Sequence, residues 1–142
     1  MSDTVRLASR VLLVLSVLAL LVSAAAHVAS LLGRDLPASV MGLHAGVLVL
    51  GLPAMFVARS PRSPKIYPLQ GRPRWLKALV MGLAAYAALN FPLTLFLGSG
   101  LDHVAPEGAS PAVLVRLFSG LWMLFYAAAV AAYYPALLPR KT

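Results

Sequence analysis

Apolar residues fill four long runs along this chain, Val5 to Leu32, Ser39 to Ala58, Trp75 to Leu97 and Pro111 to Tyr134, with polar punctuation between them. Each run reaches or exceeds the roughly 20 residues a helix needs to cross a bilayer. None alternates apolar and polar residues with the two-residue period of a membrane barrel strand. In hydrocarbon, only helices and closed barrels satisfy their own backbone groups. The pattern therefore predicts an all-α integral membrane protein, a single four-helix bundle spanning residues 1–142. Gly33 is the expected C-cap of the first helix. The connection Arg34-Asp35-Leu36-Pro37 is so short that the first two helices are expected to form a tight antiparallel hairpin. Pro53 is expected to bend the second helix, and Pro111 sits where a helix accepts proline, in its first turn.

Charge orients the bundle. Arg6, Arg10, Arg59, Arg62, Lys65, Arg72, Arg74, Lys77, Arg140 and Lys141 fall on one side of the four runs, with Asp3 as the acidic residue there. The other side holds Arg34 and Arg116 with Asp35, Asp102 and Glu107. The rule that positive loops stay inside places both termini in the cytoplasm. The beginning of the chain also resembles a signal peptide, with Arg6 and Arg10 before Val11 to Val22 and the small residues Ser23 to Ala26. The apolar run continues to Leu32, which favours a retained helix.

Composition narrows the chemistry. The chain is 61% hydrophobic with a mean hydropathy of +0.85, more apolar surface than a soluble domain of 142 residues can hide. Its net charge of +8 would suggest nucleic acid in a soluble protein. Here the placement points to anionic lipid, and no nucleic-acid partner is expected. Without cysteine there are no disulfides, thiolate metal sites or iron–sulfur clusters. The connection from Arg59 to Arg74 holds Pro61, Pro64, Pro68 and Pro73, so an extended polyproline-like path is expected. Arg59, Arg62, Lys65, Arg72, Arg74 and Lys77 are its expected contacts with headgroups, at about 1 kcal/mol each. Tyr133 and Tyr134 are expected to close the last helix at the interface.

Small residues set the packing expectation. Ser9, Ser16, Ser23 and Ser30 recur every seven residues on the first helix, the period of a close left-handed seam. Gly42 and Gly46 on the second helix have the small-xxx-small spacing of a partner surface. Ala127, Ala128, Ala131 and Ala132 offer the last helix a similar face.

One polar layer crosses these spans. His27, His44, Asn90 and Ser119 each lie roughly 9–12 Å inside the outer boundary at 1.5 Å per residue. Polar groups in hydrocarbon face the bundle interior and pair, so the layer is expected to hold the helices in register. Pro92 adds an acceptor, because it has no N–H for the carbonyl of Ala88. An alternative use is ligation: His27 and His44 are candidate axial ligands of a b-type haem. Tyr86 and Tyr126 are candidates to line that cavity or a quinone pocket. No carboxylate lies within a span, which argues against proton- or sodium-coupled transport, and no acid partner supports a Ser23–His27 hydrolase. Arg116, one turn into the last helix, is expected to reach outward towards Asp102 or Glu107.

The stretch Arg116-Leu117-Phe118-Ser119-Gly120-Leu121-Trp122-Met123-Leu124-Phe125-Tyr126 resembles a signature of uncharacterised four-helix bacterial membrane proteins. Leu43-His44-Ala45-Gly46 and Tyr86 to Phe91 fit the same resemblance. Those proteins carry a histidine before the tryptophan, where this chain has Leu121. The resemblance implies a multi-pass protein of the bacterial inner membrane and brings no activity with it. The expectation is a protein without catalysis or cofactor of its own, an accessory or scaffold subunit that meets other membrane subunits or itself. A bis-histidine haem or quinone-associated redox subunit is the alternative, and a small uncoupled transporter or channel is the third reading.

Overall fold

The computed structural model describes residues 3–34, 36–60, 63–66, 69, 71–98 and 111–138. Helix α1 spans Asp3–Leu31, α2 Gly42–Ala58, α3 Arg74–Gly98 and α4 Pro111–Tyr133. Single 3-10 turns lead into α2 at Ala38–Met41 and out of α4 at Tyr134–Leu137. Among the described residues three helical segments are long and apolar enough to cross a membrane, Asp3–Leu31, Arg74–Phe96 and Leu114–Leu137. The second apolar run was expected to be a fourth, but its first residues go into the 3-10 turn and α2 keeps 17 residues.

Local chemistry fixes the ends of these elements. Gly33 has φ +67°, a left-handed conformation that glycine reaches without Cβ strain. Arg34 N–H bonds Ala29 O at 3.0 Å and Gly33 N–H bonds Ser30 O at 3.2 Å, the paired closure of a Schellman cap. The connection after α2 departs from the expected polyproline path. Arg59–Ser60 (β1) pairs antiparallel with Ser63–Ile66 (β2), Arg59 opposite Ile66 and Ser60 opposite Ser63. A two-stranded ribbon consists of edges alone, and an edge tolerates Pro64. Asp35, Arg62, the outer connection with Asp102, His103 and Glu107, and Arg140 and Lys141 lie outside the described residues, as do the side chains of Arg59 and Lys65.

Helix α4 is the hub. It packs extensively against α1, α3 and α2, whereas α1 and α2 touch sparingly despite their short connection. The expected tight hairpin of α1 with α2 is therefore not the main contact. The reason lies in α4, whose Gly120, Ala127, Ala129, Ala131 and Ala132 are all buried and let three helices approach one axis. A Cβ built on Gly120 would stand 3.4 Å from Ala87 Cα, so α3 rides directly on this glycine. The serine seam of α1 is buried throughout, with Ser16, Ser23 and Ser30 fully inaccessible. It serves the α1–α4 contact. Gly42 has open space around it, while Gly46 lies against Tyr126 of α4 rather than against α1.

The outward faces are apolar. Leu7, Val14, Leu18, Leu21 and Val28 of α1 and Met81, Leu89 and Phe96 of α3 are all more than half exposed. Inside lie two apolar clusters. One gathers Leu13, Leu76, Val80, Val130 and Tyr133; the other joins Ala26, Leu50, Val115, Trp122 and Tyr126.

Candidate functional site

The polar residues of the spans divide around α4. His27 is buried between α4 and α3, with Nδ1 on Ser119 Oγ and Nε2 on the Tyr86 hydroxyl. Tyr86 Oη donates to Asn90 Oδ1 at 3.4 Å, and Asn90 Nδ2 donates to Arg116 O at 2.8 Å. The chemistry of the groups gives this chain a direction. Asn90 uses its amide N–H on a carbonyl, so its oxygen is left to accept from Tyr86. That spends the one hydroxyl proton of Tyr86, which must then accept from His27 Nε2–H. Nδ1 is thereby the acceptor, and Ser119 donates to it. Every member from Ser119 to Arg116 O is satisfied by this single neutral tautomer.

Arg116 closes the layer from the other side. It was expected to reach outward to acidic residues, but its Nη2 donates to Ser30 O at 2.5 Å. Ser30 Oγ in turn donates to His27 O at 2.7 Å. Ser30 lies in the last turn of α1, where a cation is favoured by the helix dipole as well. Arg116 Nε and Ser23 Oγ are buried without a hydrogen-bond partner among the described residues.

His44 stands apart from this group. Its side chain is exposed, and Trp122 Nε1–H donates to its Nδ1 at 3.2 Å. The rings of Phe118 and Trp122 both meet it edge to face at 6.1 Å. The two histidines thus engage different partners, His27 with Ser119 and Tyr86, His44 with Trp122. Paired imidazoles across neighbouring helices, as a b-type haem requires, are not what these side chains adopt. Among the described residues no group of three or more His, Asp or Glu side chains forms a metal cluster.

Of the four residues expected in one layer, the structure brings His27, Asn90 and Ser119 together and leaves His44 out. The ring of Tyr86 lies edge to face with His27 at 5.4 Å, and Tyr86 joins the network itself. Tyr126, proposed beside it, instead bonds Leu43 O on α2. Tyr133, expected at the interface, is fully buried and donates to Leu50 O at 3.0 Å. Tyr134 meets the ring of Trp75 edge to face at 6.2 Å.

A second polar site gathers at the C-terminal end of α4, which has no basic residue of its own in its last turn. Arg10 Nε donates to Ala136 O at 3.1 Å, Arg6 bonds Leu138 O, and Arg72 Nε bonds Ala131 O. Pro135 explains the last of these. It has no N–H for the carbonyl four residues back, which is Ala131, and Arg72 supplies the missing donor. Arg72 was expected among the headgroup contacts; it is turned inward, while Arg74 and Lys77 are exposed. Burial lowers the pKa of Arg72, but a guanidinium starts so far above neutral pH that it stays charged.

Comparison with protein-family models, with curated proteins and with solved structures gives no match, so the side chains themselves carry the functional argument.

Proposed function

We propose that this chain is a small multi-pass protein of the bacterial inner membrane, its four helices antiparallel and both termini cytoplasmic. It has no catalysis of its own and serves as an accessory or scaffold subunit of a membrane complex. The observation that carries this reading is the inversion of polarity. His27, Tyr86, Asn90, Ser119 and Arg116 turn towards one another across α1, α3 and α4, while leucines and valines face outward. In hydrocarbon such groups hold helices in register, at about 0.6–2 kcal/mol per contact.

The order of contacts supports the antiparallel arrangement. Ser30, His27 and Arg10 meet Arg116, Ser119 and Ala136 in turn, so α1 runs against α4. Leu43 and Leu50 meet Tyr126 and Tyr133, so α2 runs with it. The short α2, exposed at Leu48, Val49 and Leu52, supports a place beside another membrane subunit.

Topology is testable because the chain lacks cysteine. Ser99→Cys is expected to react with an impermeant maleimide in intact spheroplasts, and Ser63→Cys only after permeabilisation. Labelling of both from the same side would overturn the orientation. The subunit role predicts that the tagged chain, extracted in mild detergent, migrates on native gels in an assembly larger than the monomer. Migration as a lone monomer would remove that role.

A further inference from the structure

Helix α1 is longer than a bilayer core requires. Its 29 residues extend about 43 Å at 1.5 Å per residue, against a core of about 30 Å. A span of roughly 20 residues ending at Leu31 reaches back to Leu12. Arg10 and Arg6 then lie roughly 3 and 9 Å beyond the hydrocarbon, at the depth of the headgroups. Four residues apart, they are neighbours on one face of the helix.

Both side chains are held in place there. Arg10 Nε donates to Ala136 O at 3.1 Å, and Arg6 Nη2 donates to Leu138 O. A guanidinium has five N–H groups, so each arginine keeps donors beyond the one it gives away. The accepting carbonyls are neutral and leave both charges in place. Among the described residues of this side, Asp3 is the carboxylate set against Arg6, Arg10, Arg72, Arg74 and Lys77. Towards the core from Arg10, Val11, Val14 and Leu18 share one face of α1 and are more than half exposed. Two fixed cations thus stand at the head of an apolar strip.

We propose that Arg6 and Arg10 bind the phosphate of one anionic phospholipid, with an acyl chain lying along Val11, Val14 and Leu18. The inference rests on the membrane reading above but not on the accessory role. Charge selects the headgroup. A zwitterionic lipid brings an ammonium that the second guanidinium repels, whereas phosphatidylglycerol presents its phosphate without one. Guanidinium meets phosphate through paired N–H donors, and side chains already fixed by carbonyls lose less freedom on binding. The apolar strip favours a lipid over a free anion. Juxtamembrane basic groups gain from anionic headgroups in the same way.

Native mass spectrometry of the full chain in mild detergent tests this, with dioleoyl phosphatidylglycerol and dioleoyl phosphatidylcholine as probes. One phosphatidylglycerol is expected to bind saturably, about tenfold more tightly than phosphatidylcholine. Arg6→Gln with Arg10→Gln should weaken it about tenfold, whereas Arg74→Gln with Lys77→Gln, an equal loss of charge, should change it less than about twofold. Equal binding of the two lipids, or equal loss in the two glutamine pairs, would mean diffuse attraction and overturn the proposal. If circular dichroism shows the first pair unfolded, Arg6→Lys with Arg10→Lys decides. That pair keeps both charges without the planar fork and should bind about threefold more weakly, and unchanged affinity would overturn the site. Displacement of the lipid by millimolar inorganic phosphate would assign the arginines to a free anion and overturn it too. Detergent solution has no sidedness, so failure of this site and failure of the topology in the maleimide experiment are distinguishable.

Discussion

His27 is the residue on which the polar layer turns, because each ring nitrogen holds a different helix. Replacing it with alanine leaves the buried Ser119 hydroxyl without its partner and takes one of two partners from Tyr86, which keeps Asn90; the cost is about 1–3 kcal/mol. The predicted result for His27→Ala is a loss of that order in detergent unfolding followed by far-UV circular dichroism. Ser119→Ala should cost less, about 1 kcal/mol, because it removes only one donor. The pair should be coupled: the double variant should be more stable than the sum of the two losses implies. Strict additivity would show that the two side chains do not depend on each other.

Glycines give a second contrast at this scale. A Cβ on Gly46 would stand 2.6 Å from Tyr126 Oη, the group that bonds Leu43 O, whereas Gly42 and Gly51 have nothing within 4 Å. Gly46→Ala is expected to destabilise by about 1–3 kcal/mol, the usual cost of overpacking. Gly51→Ala should stabilise slightly, since alanine is the better helix former by about 0.5–1 kcal/mol. The same unfolding measurement checks both, and equal effects would contradict the packing of α2 on Tyr126.

Among elements, the end of α4 makes the clearest prediction. Pro135 withholds an N–H from Ala131 O, and Arg72 supplies one from the segment before α3. Arg72→Gln should therefore cost about 1 kcal/mol, reduced from the full value of a charged hydrogen bond because the side chain is only partly buried. In a Pro135→Ala background the carbonyl regains a backbone donor, and the same substitution should cost distinctly less. Unchanged cost in that background would mean that Arg72 acts through something other than this carbonyl. The helix ranges were largely legible in the apolar runs, because a span needs a fixed length of apolar chain whatever it packs against. The cap was not. Arg72 reads as one more basic residue in a basic loop, and the proline that gives it a role lies 63 positions further on.

At the scale of the whole molecule, α4 packs against three helices, whereas α3 packs chiefly against α4. Backbone opening follows burial and local contact. Hydrogen exchange of the detergent-solubilised protein should therefore be slowest in the middle of α4, around Ala127 to Ala131, and faster in α3, where few side chains are buried. Equal protection of α3 and α4 would contradict the central place of α4.

The sequence by itself determined the helical class, the approximate ends of the helices, the Gly33 cap and the depth at which polar side chains occur. Those properties depend on local composition, on the length of apolar runs and on rise per residue. It also singled out the serine seam, because a seven-residue period is visible along one helix. Only the tertiary structure decided what each face meets. Depth along a helix is one-dimensional, whereas partnership depends on rotation about the helix axis and on which helix is central. His27 and His44 share a depth, yet one turns to Ser119 and Tyr86 and the other to Trp122. With α4 as the hub, a single expected layer became a hydrogen-bonded network on one side and an exposed histidine held by Trp122 on the other.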